Sequence, residues 1–377
     1  MPQYFFILGR ESELCSAEIN AKLKEQNIAY TQIAKTDSFL ILQTTTPLDC
    51  QSLMQELSGT IKIGEIQKEE AKISPTSLLK YIPKSDKKIC FGISCYDFNC
   101  TIEKFGRDMK AILKKEGRSV RFVSSKQYPL SSVIVQKEIL SKGVEIVILK
   151  IENKFLVGTT QEVQPFEKFS EFDFGRPARD SYSGMLPPKL AQIMINLSEA
   201  KKNVVIYDPF CGSGTVLFQA AMLGFTNLIG SDISEKQIAD TQNNLNWLKE
   251  KTNLDFKAEL FVLDVKDVPA KLKTKIDFIV SEPYLGKPLK GNETEKEIFD
   301  NIENLKKFYA TALSSLEKIL NANATMIIIA PEIVWRGKTF TLGINRLLPK
   351  NLTIENTWQY ARADQHIIRR IYKLRKI

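Results

Sequence analysis

Residues 204–215 read VVIYDPFCGSGT, and this stretch decides the fold. Val204 to Tyr207 are apolar or aromatic and have the length of a short buried strand. Asp208-Pro209 closes it, Gly212-Ser213-Gly214 supplies a turn, and Val216 to Leu223 form an apolar run of helical character. Strand, glycine turn and helix in that order mark the first unit of an open α/β sheet, which binds ligands at the carboxyl ends of its strands. Gly212 and Gly214 allow a ligand close to the backbone and accept positive φ. A Walker A loop needs a lysine that is absent here, and a dinucleotide fingerprint needs a third glycine and is poorly served by an acid at the strand end. A carboxylate at that place repels pyrophosphate and suits a cationic sulfonium carrying an ammonium group, so Asp208 points to S-adenosylmethionine.

The strands that follow extend the pattern. NLIGSD ends at Asp232, where a carboxylate can accept from both ribose hydroxyls, and ELFVLD ends at Asp264, where one can accept from the adenine amine. Each acid also has the ordinary reading of a helix N-cap. The cofactor-binding set expected from the turn and the strand ends is Asp208, Phe210, Cys211, Gly212, Gly214, Thr215, Asp232, Ile233, Asp264 and Val265, with Cys211 in a packing role. Helices are expected over 235–249 and 297–319. The strands TMIIIA, LTIENTW and HIIRRIYKL complete a doubly wound α/β sheet, its last two close enough to form a hairpin, so that the final strand runs antiparallel.

The fourth strand, KIDFIV, leads into Ser281-Glu282-Pro283-Tyr284. This resembles the D/N-P-P-Y tetrapeptide of amino-methyltransferases, which methylate exocyclic amines of nucleobases. The amine's lone pair is delocalised into the ring, so such a site needs acceptors for the N–H bonds and a surface that holds the base flat. The resemblance implies a main-chain acceptor at Glu282, fixed by Pro283, and a stacking ring at Tyr284 for a base drawn out of its helix. Ser281 and Glu282 depart from the family pattern, and a serine hydroxyl is a weaker acceptor than Asp or Asn.

Upstream, residues 1–60 read as strand, helix, strand, helix, and residues 66–160 as short strands, expected to pair mostly antiparallel, around helices near 102–115 and 131–140. Residues 164–188 carry Pro165, Pro177, Pro187 and Pro188 and read as a linker that still packs. The passages FILGRESELCSAEI, LSGTIKIGEI, RFVSSKQYPLSSVIVQKEILSKGVEIVI and VGTTQEVQPFEKFSEFDFGRPARDSYSGMLPPKLAQIMINL are similar, in order, to those of archaeal and eukaryotic tRNA guanosine-10 N2-methyltransferases. That resemblance implies a ferredoxin-like domain at 1–60, a THUMP RNA-binding domain at 61–163, a linker at 164–188 and a Rossmann-like class I methyltransferase domain at 189–377. It implies transfer of a methyl group from S-adenosylmethionine to a guanine N2 in tRNA. In that family the linker, here with Arg176, Arg179, Tyr182 and the turn 183–188, folds over the methionine end of the cofactor. The need for a small activating subunit stays open.

The balance of 53 Lys and Arg against 44 Asp and Glu gives +9, which suits a polyanion without placing it. Arg118 and Arg121 with Lys114, Lys115 and Lys126 are candidates for phosphate contacts. The C-terminal run holds Arg362, Arg369, Arg370, Lys373, Arg375 and Lys376 against Asp364, and reads either as an RNA rail or as a charged edge strand. The single histidine, His366, disfavours Ser-His-Asp and Cys-His schemes and His-rich metal sites, so no metal is expected. The six cysteines contain no C-x-x-C pair and are expected as reduced, mostly buried thiols. No basic leader and no apolar run of about 18–20 residues is present, so a cytoplasmic setting without a membrane partner is expected. The rival readings are an amino-methyltransferase acting on another tRNA position, another RNA or DNA, and an RNA-binding scaffold with little catalysis.

Overall fold

In the computed structural model, which describes residues 1–167, 171–172, 175–178, 185–289, 291–361 and 365–377, the chain divides into two units, Met1–Ser170 and Glu171–Ile377. Arg179, Tyr182, Ser183, Gly184, Arg362 and Asp364, singled out from the sequence, lie outside the described residues.

The first unit is built on strands β1 (Gln3–Leu8), β2 (Tyr30–Lys35), β3 (Phe39–Thr44), β4 (Thr60–Glu70), β5 (Ile89–Tyr96), β6 (Val120–Phe122), β7 (Gly143–Ile151) and β8 (Lys154–Val163). They form one sheet in the order β2-β3-β1-β4-β8-β7-β5-β6. β4, which begins at Thr60, pairs with β1 on one side and β8 on the other, so a single sheet runs across the 60/61 position. β5 pairs parallel with both β6 and β7, against the expectation of mostly antiparallel strands. The reason is length: helix α3 (Ile102–Lys115) and the helical stretch 132–140 give the long crossovers that parallel neighbours require. Helices α1 (Ser12–Glu25) and α2 (Cys50–Glu56) precede α3. In the sheet's interior Lys62 meets Glu145 at 2.5 Å with both side chains buried, and Ser94 and Thr160 donate to the same carboxylate. All six cysteines are free thiols and five are buried.

The second unit contains β9 (Val205–Asp208), β10 (Asn227–Asp232), β11 (Lys257–Val262), β12 (Ile276–Ser281), β13 (Leu320–Trp335), β14 (Lys338–Thr341), β15 (Leu352–Tyr360) and β16 (Ile367–Lys376). Their order is β11-β10-β9-β12-β13-β16-β15, with β14 paired to β13. The pairings from β11 to β13 are parallel, and β16 is antiparallel to both β13 and β15. Helices α4 (Pro188–Leu197), α5 (Thr215–Met222), α6 (Glu235–Thr252) and α7 (Glu295–Ile319) complete it. Helix α7 starts at a capping box in which the Thr294 hydroxyl accepts from Glu297 N and the Glu297 carboxylate accepts from Thr294 N. Its apolar stripe, Leu305, Tyr309, Leu313 and Leu316, shares a core with Ile279, Met326 and Ile328 of the sheet.

The terminal strand overturns both readings of the basic run. β16 lies inside the sheet between β13 and β15, so it is no edge. Arg369 and Lys373, two strand periods apart, share one face, but that face is buried and the charges are paired, with Glu282 at 2.6 Å and Glu199 at 2.5 Å. Arg370, Arg375 and Lys376 pair with Glu332, Glu355 and Glu317. Strand periodicity puts alternate residues on a common side but does not tell which side a partner will cover. In the first unit Arg118 donates to the main-chain carbonyls of Ile82 and Pro83, and Arg121 pairs with Glu138. Arg118 therefore serves the fold, while Lys114, Lys115 and Lys126 are exposed.

Candidate active site

β9 and β12 are neighbours, and the connections from them leave toward opposite halves of the sheet. Their carboxyl ends therefore form the switch point where such sheets open a crevice. Each strand delivers one of the two sequence motifs to it. Asp208 closes β9 and Ser281 closes β12, and the Ser281 hydroxyl donates to Asp208 Oδ1 at 2.5 Å across 73 residues of chain. The same oxygen accepts from Phe210 N at 3.1 Å. Asp208 is 2% exposed, and burial raises its carboxyl from 3.8 to about 7 against the opposing pull of these two bonds. Ser281 has no exposed surface and its one donor is committed to Asp208, so within this chain it acts on the acid beside it.

The glycine turn is held by Asp232 at the end of β10. Gly212 N donates to Asp232 Oδ2 at 3.0 Å and Ser234 N to Oδ1 at 2.9 Å, which leaves lone pairs on both oxygens for further donors. Gly212 has φ +53° with open space where a Cβ would stand. Gly214, the N-cap of α5, has φ +84°, and a Cβ there would lie 2.8 Å from Thr241 Cγ2. Both glycines are thus required, one for its turn and one for close approach. Thr241 donates to Gly212 O at 2.6 Å and Asn244 to Ser213 O at 2.8 Å, fixing the turn from α6. Cys211 is buried within it and burial drives its thiol well up, so it stays protonated.

Ile233, next to Asp232, is an exposed apolar side chain at 70%. Asp264 caps the turn that follows β11: its Oδ1 accepts from Lys266 N at 3.0 Å and its Oδ2 meets Lys266 Nζ at 3.0 Å, which lowers its carboxyl. Val265 beside it is buried. Thr215 accepts from Arg176, a buried residue whose guanidinium also lies 5.3 Å from the Phe218 ring centre. Arg176 thus packs on the first turn of α5.

Beyond Ser281 the tetrapeptide splits by environment. Pro283 is buried, whereas the Tyr284 ring is 54% exposed and stands edge-on to Phe308, which in turn meets Phe210. The Tyr309 hydroxyl lies 3.3 Å from Tyr284 O and 3.0 Å from Ile329 O. The Glu282 carboxylate accepts from Arg369 Nε at 2.6 Å; burial pushes this carboxyl up, with Arg369 opposing. Sequence reasoning missed the parts played by Arg369, Thr241, Asn244 and Phe308. No local signal marks them, since each reaches the site from an element distant in sequence.

Comparison with known proteins identifies what the chain is similar to. Residues 176–334 match the RMKL-like methyltransferase domain family. The chain is 36% identical over 160 residues to the tRNA (guanine(10)-N2)-dimethyltransferase of Methanocaldococcus jannaschii, a match covering 41% of this chain and 43% of that protein. It is 34% identical over 133 residues to the probable tRNA (guanine(10)-N2)-dimethyltransferase of Methanothermococcus thermolithotrophicus, covering 35% of this chain and 82% of the relative. The chain belongs to the tRNA guanine-N2-methyltransferase family. The match spans less than half the length of the Methanocaldococcus relative. Among solved structures, TrmN from Thermus thermophilus superposes over 100% of both chains with a TM-score of 0.58 at 14% identity, a likeness of fold. The second unit accordingly has the Rossmann-like methyltransferase fold.

Proposed function

We propose that this protein transfers a methyl group from S-adenosylmethionine to the exocyclic N2 amine of a guanosine in tRNA, at position 10. The observation that carries the reading is the meeting of the two motifs at the switch point: the glycine turn and the Ser281–Tyr284 turn are joined through Asp208, with the Tyr284 ring exposed beside them. The donor set fits the cofactor. Carboxylates stand at three strand ends, open space adjoins Gly212, and Ile233 offers an apolar cover for adenine. A phosphate-bearing ligand would meet Asp208 and Asp232 with like charge.

In this reading Asp232 accepts from the ribose hydroxyls, Asp264 and Ile233 hold the adenine, and Asp208 fixes the turn that faces the methionine end. Phe210, Cys211, Gly212, Gly214, Thr215 and Val265 shape the wall. S-adenosylmethionine supplies an electrophilic methyl carbon on a cationic sulfur. The chain's own part is positioning. Tyr284 offers a ring face to a guanine turned out of its stack, and the Glu282 main-chain carbonyl accepts an N2–H, aiming the nitrogen's lone pair. Pro283 limits the turn's freedom, and Ser281 holds it to Asp208.

The first unit, as a ferredoxin-like and THUMP pair, binds the RNA by shape and backbone. The exposed Lys104, Arg107, Lys114 and Lys115 on the outer face of α3 support this. A cytoplasmic enzyme acting on tRNA is the setting that follows. The purified chain alone, incubated with labelled cofactor and total tRNA, an unmodified tRNA transcript and duplex DNA, tests the reading. Label is expected in tRNA, with N2-methylguanosine in the digest, whereas label only in DNA contradicts it. No label in any arm, unchanged by candidate partner subunits, favours the scaffold.

A further inference from the structure

We propose that Arg369 is a positioning residue for the Ser281–Tyr284 turn, gripping Glu282 from the last strand in place of the proline that the D/N-P-P-Y pattern carries there. The inference rests on the functional reading above, since it concerns the turn whose main-chain carbonyl and ring address the base.

A proline at 282 would lock φ near −65°, and glutamate leaves that angle free. The carbonyl assigned as acceptor belongs to this residue, and a misplacement of about 1 Å is enough to lose much of an oriented reaction's advantage. The structure supplies another restraint. Arg369 Nε donates to Glu282 Oε1 at 2.6 Å, and the two side chains are only 8% and 11% exposed. Arg369 is itself fixed, because its strand is hydrogen-bonded on both sides, opposite Pro331 of β13 and Tyr360 of β15. Gln365 lies 3.5 Å from its guanidinium as a further acceptor. Arginine is the residue type that gives such a grip direction, its planar fork fixing angle as well as distance.

Two comparisons within the molecule single out this pair. The other charged residues of β16 pair with Glu199, Glu332, Glu355 and Glu317, all outside the turn; only Arg369, among the described residues of the strand, reaches the tetrapeptide. Ser281 ties the start of the turn to Asp208, but the hold at its other end is weak, because the single Tyr309 hydroxyl proton is shared between Ile329 O and Tyr284 O. A buried ion pair is poor evidence for stability, since apolar residues of similar volume serve as well or better. Its value at this place is the fixed orientation of Glu282.

The test uses the full chain in four variants: Arg369→Lys, Arg369→Gln, Glu282→Leu with Arg369→Leu, and Glu282→Pro with Arg369→Leu. The double variants remove both charges and so keep the experiment valid where a single variant fails to fold. For Arg369→Gln and for the double-leucine variant, kcat is expected to fall roughly 10- to 100-fold, by misplacement of the reacting groups. Cofactor affinity by calorimetry stays within about twofold, as loss of an interaction that acts on the chemical step requires. Arg369→Lys recovers part of the rate, and Glu282→Pro with Arg369→Leu recovers most of it. A second readout is independent of activity: 3-fluorotyrosine placed at Tyr284 should give one sharp ¹⁹F line in the wild type and a broadened or split line in the double-leucine variant. A folded double-leucine variant with wild-type kcat overturns the proposal, as does an unchanged ¹⁹F line. Equal losses in the leucine and proline double variants overturn the idea that the pair substitutes for proline. If the wild type methylates no guanine, the functional reading fails, and the ¹⁹F line alone judges the grip.

Discussion

Replacing Asp208 by Asn should stabilise the second unit at neutral and alkaline pH while weakening the site's response to a cation. The Asp208 carboxyl stands at about 7 in the folded chain against 3.8 for the free side chain, chiefly because it is buried. That difference amounts to about 4 kcal/mol at roughly 1.4 kcal/mol per pH unit. The folded state holds the proton more tightly than the unfolded chain, so this stability is fully present below pH 3.8 and is lost as pH rises through about 7. Between pH 5 and 8 the loss is about 3 kcal/mol by the same linkage. Both hydrogen bonds found at the carboxylate end on Oδ1, which an amide oxygen replaces, so the substitution removes the charge and keeps the contacts with Ser281 and Phe210. All three tryptophans, Trp247, Trp335 and Trp358, lie in the second unit, and urea unfolding followed by their fluorescence reports on it. Wild type should lose about 3 kcal/mol more than Asp208→Asn between pH 5 and pH 8. In parallel, binding of the cationic cofactor should tighten with pH through neutrality in the wild type and stay flat in the variant. Equal pH slopes of stability in the two proteins would refute the reasoning.

Three further substitutions probe the site. Asp232→Ala removes the acceptor of Gly212 N and of the ribose hydroxyls and should weaken cofactor binding by more than about 1.5 kcal/mol, or tenfold; unchanged calorimetric affinity contradicts that role. Tyr284→Ala removes a stacking surface worth about 1–3 kcal/mol per base and should lower kcat/KM for tRNA at least about fivefold with cofactor affinity intact. A wild-type rate would dismiss stacking. Cys211→Ser should retain methyl transfer, because the buried thiol stays protonated in the turn; loss of activity in a folded variant would point to chemistry at sulfur.

The sheet and its motifs were legible because they are written locally. The runs that became β9, β10, β12 and β13 are apolar over strand length, and the turn at 212–214 follows a strand and precedes a helix. What stayed hidden was written non-locally. Nothing near Ser281 announces that its hydroxyl will serve Asp208, and nothing near Arg369 announces Glu282, 87 residues away. The basic C-terminal run was misread for the same reason: charge density suggests a partner outside the chain, whereas Arg369, Arg370, Lys373, Arg375 and Lys376 find theirs inside it. β2 and β4 were missed because they mix charged and polar residues with apolar ones, and pairing with neighbouring strands settles them.

The most direct test is nucleoside mass spectrometry of an unmodified tRNA transcript after incubation with the purified chain and S-adenosylmethionine, mapped by nuclease fragments, alongside the same transcript with adenosine in place of G10. N2-methylguanosine in the fragment holding G10, and its absence from the substituted transcript, is the predicted result. Methylation of both transcripts to the same extent would contradict position 10, and methyl groups on any atom other than guanine N2 would contradict the account of the site.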